Sequence, residues 1–217
     1  MPETNSKPPS NLYRGITIPS SEFQPSFLTG DLTPGSRVEQ PNGVLTVSDG
    51  NEYGVYMSTN EDMVKRAYAD PRHGKQIPGF EKLSYGYSRD VIQEPSIGIM
   101  YKVDSSDLQV RKPRITRSLQ GVYNNGFIGD EWIADIVPAS HISIPYIKLG
   151  RDALHGELVI EPEDGDVRPH AERLQVEAAE RVERLKQFGL AVLELTPAQR
   201  MNPSRVERII EQIKTKQ

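Results

Sequence analysis

The chain has 217 residues, 36% of them hydrophobic, and a formal net charge of −4. That is length enough for one buried core with an appendage, without the basic excess that drives general nucleic-acid binding. It has no cysteine, which excludes disulfides, zinc–thiolate centres and thiol nucleophiles together.

Residues 1–10, MPETNSKPPS, are rich in Pro and Ser with no apolar anchor and read as a mobile tail. They lack the apolar stretch of a signal peptide, and no later segment has the length to cross a bilayer. The expectation is a protein with no membrane association, acting in a cytoplasm or delivered into one. From Asn11 to about Gly150 short apolar or β-branched runs alternate with Gly, Pro, Asn and Asp, predicting a strand-rich domain over 11–150. Its strands are expected at Leu12–Gly15, Val44–Val47, Gly54–Met57, Ile97–Val103, Trp132–Val137 and His141–Ile147.

One early helix interrupts this body. Thr59 or Asn60 can cap it, Glu61 and Asp62 suit its positive end, and Met63, Val64, Ala67 and Tyr68 form an apolar stripe that ends before Pro71. Between Pro71 and Pro95 lies a long excursion carrying Phe80, Tyr85 and Tyr87, and loops of this length tend to be functional. The short basic run Arg111-Lys112-Pro113-Arg114 reads as a solvated loop. Residues 151–167, with Glu161-Pro162-Glu163-Asp164-Gly165-Asp166, read as an acidic linker to a helical extension over 168–217. There, Leu174, Ala178, Val182 and Leu185 share one helix face and Gly189 is the expected stop. Ser204-Arg205-Val206-Glu207 has the form of a capping box for a last helix. These helices can pack on the domain, hold a partner or dimerise, and their sequence does not choose. The fold class expected is α+β.

Three of the strand-like pieces are each coupled to a polar residue with chemical potential: Arg14, Ser58-Thr59 and Glu131. A guanidinium offers a permanent planar fork to phosphate, and a carboxylate in an apolar strand needs a partner or a function. Taken singly, Arg14 reads first as a surface or ion-paired strand residue and Ser58-Thr59-Asn60 first as a helix cap. The four histidines have no metal-ligand spacing, so no metal is expected. No Gly-Lys-Ser/Thr phosphate loop and no Gly-x-Ser-x-Gly elbow occurs.

In order and local context these pieces resemble the mono-ADP-ribosyltransferases of the arginine, Ser-Thr-Ser, glutamate class, over roughly residues 11–148. The resemblance implies a split, strand-rich core that binds NAD as donor substrate without a Rossmann fold. It implies an enzyme that transfers ADP-ribose to a macromolecular acceptor, a toxin or effector-like activity. By resemblance Glu131 stabilises the oxocarbenium-like ribose, Arg14 anchors NAD, the backbone at Gly15 holds the nicotinamide carboxamide, Ser58 orients Glu131 or contacts the ribose, and Thr59 supports the strand end. Tyr53, Tyr56, Phe80, Tyr85 and Tyr87 are candidates for an aromatic wall against nicotinamide. Residues 121–128 correspond to the target-recognition loop, with Tyr123 and Phe127 as its aromatics; an ordinary Asn-Gly hairpin is the equal alternative. Gly129 stands where arginine-modifying members have a second glutamate, so the acceptor expected is a protein side chain other than arginine. The turn Asp31-Leu32-Thr33-Pro34-Gly35 resembles one in the rifamycin-modifying transferases, which use histidine in place of Arg14. An NAD glycohydrolase and a non-catalytic binding module are the alternatives.

Overall fold

The computed structural model describes residues 8–35, 37–39, 45–47, 53–71, 74–80, 92–113 and 131–215. Its centre is a six-stranded sheet in which every neighbouring pair is antiparallel. The strands are β1 (Asn11–Pro19), β4 (Val55–Ser58), β7 (Ser96–Asp104), β8 (Glu131–Ala134), β9 (Ile142–Leu149) and β10 (Leu158–Ile160), in the spatial order β10-β9-β7-β1-β4-β8. Two small hairpins stand outside it, β2 (Arg37–Glu39) with β3 (Leu45–Val47) and β5 (Lys75–Gln76) with β6 (Gln93–Glu94). The α+β class expected from the pattern is therefore observed, with strands within a few residues of those read from the apolar runs.

The run Ser-Ile-Gly-Ile-Met-Tyr-Lys-Val-Asp of β7 is buried on both faces, as a strand covered on two sides requires. It pairs with β1 along its whole length, from Asn11–Asp104 to Pro19–Ser96. The next pairing is different in kind. Among the described residues β1 meets β4 at Tyr13–Ser58 alone, after which the two strands part, while β4 continues in register with β8 from Val55–Ala134 to Ser58–Glu131.

Helix α1 (Glu61–Ala67) follows β4 directly. Asn60 caps it, its Oδ1 accepting the Met63 N–H at 3.0 Å, with Glu61 and Asp62 in the first turn and Lys65 and Arg66 in the last. The helix and the turn after it lie on one sheet face with Val64, Ala69, Met100 and Tyr146 in a small apolar cluster. Two glycines make this docking possible. A Cβ on Gly98 would stand 1.8 Å from the Ala69 carbonyl oxygen, and one on Gly15 would stand 2.5 Å from the Tyr68 Cβ and 2.8 Å from the Ala69 nitrogen. The Thr17 hydroxyl donates to the Tyr68 carbonyl at 2.8 Å within the same furrow.

The opposite face carries the main core, where Leu12, Val55, Met57, Ile97, Tyr101 and Trp132 meet the N-terminal half of α2 (Ala171–Leu193) through Ala171, Leu174 and Ala178. Further along α2, Leu185, Phe188 and Val192 join Ile77, Phe80, Ile92 and Val206 in a second cluster, completed by Ile209, Ile210 and Ile213 of α4 (Pro203–Lys214), which follows the short α3 (Pro197–Arg200). The C-terminal helices thus pack on the strand-rich body.

Four boundaries differ from the sequence reading. Helix α2 runs through Gly189, because the missing side chain leaves a notch for the Phe80 ring; a Cβ there would lie 2.5 Å from Phe80 Cε1. The stretch 151–167, expected as a linker, contains β10, which pairs Leu158–Leu149 to Ile160–Ile147 at the sheet edge. Helix α4 is capped by Asn202, whose Oδ1 accepts the Ser204 N–H at 3.1 Å, and the capping box lies at Thr196 and Gln199 instead of Ser204 and Glu207. Finally, the chain is already engaged before Asn11, with the Ser10 carbonyl accepting the Ser105 N–H at 3.0 Å and the Pro9 carbonyl the Ser105 hydroxyl. Among the described residues no helix is long and apolar enough to cross a membrane.

Candidate active site

Tyr13, Ser58 and Glu131 occupy one row across β1, β4 and β8, because Tyr13 is in register with Ser58 and Ser58 with Glu131. Directly opposed residues of antiparallel strands share a face, so the three side chains project to the side where α1 lies. A cavity of about 210 Å³ opens there, lined by all three together with Arg14, Gly15 and Tyr56 from the strands and Met63, Val64 and Tyr68 from α1 and its exit. Residues from three distant stretches of chain are brought together by strand register alone.

Arg14 belongs to the opposite face by alternation, yet it lines this cavity as well, because β1 and β4 separate beside it. Its Nη1 donates to the Tyr56 carbonyl at 3.1 Å across the gap. Burial pulls the guanidinium below its ordinary value, opposed by the neighbouring Tyr101, and arginine starts high enough to remain charged. On the far side Arg14 borders a second cavity of about 390 Å³, where it meets Ile16, Phe27, Asp31, Leu32 and Tyr101. The Tyr101 hydroxyl is fixed by donation to the Phe27 carbonyl at 2.9 Å. Arg14 is therefore a charged partition between two openings.

Ser58 is buried, and its hydroxyl oxygen accepts the Asn60 N–H at 3.0 Å, so the residue both ends β4 and prepares the helix cap. Glu131 is half-buried at the start of the edge strand β8. Burial pushes its carboxyl above the usual carboxylate range, and the positive charge of Lys112 opposes that shift. Lys112 is held nearby because Arg111 exchanges two backbone hydrogen bonds with Ile133, at 3.0 and 2.9 Å, and the Lys112 ammonium lies 4.3 Å from the centre of the Trp132 ring. Tyr13 is kept neutral: burial and a hydrogen bond to Glu61 push its phenol up to about 12.

Of the residues singled out from sequence, Arg14, Gly15, Tyr56, Ser58 and Glu131 converge on the cavity. Thr59 is exposed and, like Tyr53, does not line it. Phe80 is removed from the aromatic wall, since its ring fills the Gly189 notch. Tyr85, Tyr87, Tyr123, Phe127 and Gly129 lie outside the described residues. The need for glycine at position 15 is met by the Tyr68–Ala69 backbone, which already occupies the space a side chain would take.

The aromatic surfaces of the cavity come instead from Tyr13, Tyr56 and Tyr68. Tyr13 and Tyr68 were not singled out by sequence, although the alternation of β1 beside Arg14 and the helical stripe ending at Tyr68 each carried a trace of them. In the sequence Lys112 belongs only to a short basic run that reads as solvated. Among the described residues no group of His, Asp and Glu is arranged to hold a metal ion. In comparisons with known proteins, no family model, no curated protein and no solved structure matches the chain.

Proposed function

We propose that the chain is an NAD-dependent ADP-ribosyltransferase that acts on a macromolecular acceptor, a protein side chain other than arginine, and releases nicotinamide. The observation that carries this reading is the convergence of Arg14, Ser58 and Glu131 on one cavity at the point where β1 and β4 part. The split-sheet core implied by the sequence resemblance is part of the proposal.

Heterolysis of the bond between nicotinamide nitrogen and ribose C1′ sends the electron pair to neutral nicotinamide and leaves a cationic ribose. The acceptor then donates an electron pair to C1′ and loses a proton. The enzyme's task is chiefly electrostatic: an anion placed where positive charge develops lowers the barrier without being consumed. Glu131 supplies that anion through a ribose hydroxyl, Ser58 steadies the rim, and Tyr13, Tyr56 and Tyr68 enclose the nicotinamide ring. At about 210 Å³ the cavity is below the range of roughly 300–1,000 Å³ usual for larger ligands, so it suits the ring and not a whole dinucleotide. The remainder passes Arg14, whose guanidinium takes the pyrophosphate, and the adenylate half enters the second cavity.

The test is nicotinamide release from NAD together with the fate of a label on its adenylate half in the presence of a lysate. Label on protein and a large loss in Glu131→Ala support the reading. Release confined to free ADP-ribose would make water the acceptor, and undiminished release by Glu131→Ala would overturn the assignment.

A further inference from the structure

The second cavity carries little charge. Among the described residues that line it, Arg14 is the one cation and Asp31 the one anion, with Ile16, Phe27, Leu32 and Tyr101 forming much of the remaining surface. Asp31 is also fixed in place. Its Oδ1 accepts the Ala139 N–H at 2.8 Å, and the adjoining Leu32 exchanges two backbone hydrogen bonds with Val137, at 2.9 and 3.0 Å. The loop is thereby tied to the chain leaving β8, and the carboxylate cannot swing away from an incoming group without breaking that tie.

We propose that Asp31 makes this cavity selective for dinucleotides whose adenylate ribose carries no 2′-phosphate, so that NAD is accepted and NADP refused. The inference rests on the NAD reading of the site. With Arg14 committed to the pyrophosphate, a third phosphate finds no cation among the described lining residues and meets a fixed carboxylate. A phosphate monoester brings about −1.5 to −2 charges near neutral pH, so a 2′-phosphate seated on the Asp31 side of the cavity meets like charge. Asp31 is exposed, which makes the repulsion sensitive to salt.

The experiment compares kcat/KM for NAD and NADP, followed by nicotinamide release, at low and high salt, in wild type and Asp31→Asn. Asparagine keeps an acceptor oxygen for the Ala139 N–H and removes the charge. Wild type is expected to prefer NAD by about tenfold or more at low salt, with the preference shrinking as salt rises. The variant should narrow the ratio severalfold through a lower KM for NADP. Equal use of the two donors by wild type, a ratio indifferent to salt, or an unchanged ratio in a folded Asp31→Asn protein would each overturn the inference while leaving the NAD reading intact. No nicotinamide release from either donor would overturn both.

Discussion

Ser58 stands directly opposite Glu131 in the β4–β8 ladder, with its hydroxyl engaged by the Asn60 N–H. The serine therefore cannot move away from the glutamate without disturbing both a strand end and a helix cap. Under the proposed reading, charge stabilisation falls to a carboxylate whose backbone is held in the same ladder.

Replacing Glu131 by Gln should lower kcat for nicotinamide release by about 100-fold or more and leave KM for NAD nearly unchanged, because the charge is needed only as the cation forms. The same substitution should not destabilise the protein. The folded-state value of Glu131 lies above its unfolded value, so ionisation opposes folding. This opposition is present above the raised folded value and disappears as pH falls to the ordinary carboxylate range. A melting temperature at neutral pH equal to or above wild type is expected, and a clear drop would count against the electrostatic account.

The acid limb of the activity profile follows from the same group. On the proposed mechanism only the carboxylate form stabilises the cation, so kcat/KM should fall on the acid side with a midpoint above the usual carboxylate range. Lys112 opposes the upward shift, so Lys112→Met should move that midpoint to higher pH and Lys112→Arg should restore it. A rate profile measured on the three proteins decides the matter.

The close packing at Gly98 can be tested against a glycine that has none. Gly98→Ala drives a Cβ into the Ala69 carbonyl, a backbone atom with little freedom, and should cost about 3 kcal/mol in a urea titration. Gly35→Ala, with nothing within 4 Å of the new Cβ, should change stability by less than about 0.5 kcal/mol. Gly15→Ala should behave like Gly98→Ala even with no ligand present.

At the last helix the position of the cap is decisive. Asn202→Ala should cost about 1 kcal/mol in thermal or urea unfolding, whereas Ser204→Ala should be almost neutral. The reverse order would place the helix start where the Ser204…Glu207 pattern suggested.

Much of this site could be read from the chain because its pieces are local: an apolar run ending in Arg14, another ending in Ser58 before an Asn60 cap, a third opened by Glu131. Their convergence is a matter of strand register, which no single segment encodes. That is why nothing in the sequence distinguishes Tyr13, the third member of the row, beside the more conspicuous Arg14. The errors have similar causes. Three residues of β10 between acidic neighbours are too short to show alternation, and Gly189 looks like a helix stop until Phe80, more than a hundred residues earlier in the chain, is seen to need the space. Asn202 lost to Ser204 because a reciprocal side-chain pattern is easier to recognise than the simple cap that formed.

The parting of β1 from β4 beyond Tyr13–Ser58 has a mechanical consequence. The pairing from β9 through β7 to β1 runs the length of β7, with one irregularity against β9 between Met100 and Lys102, whereas among the described residues β4 pairs with β1 at one rung, supplemented by the Arg14 side chain. A small shift at that rung would change the width of both openings, which Arg14 borders on either side. A molecule gripped by Arg14 on one side of the seam and by Glu131 on the other acts as a cross-brace. Its arrival should register as stiffening of β4 and β8, through slower amide exchange at Tyr56 and Trp132, with no change in strand content.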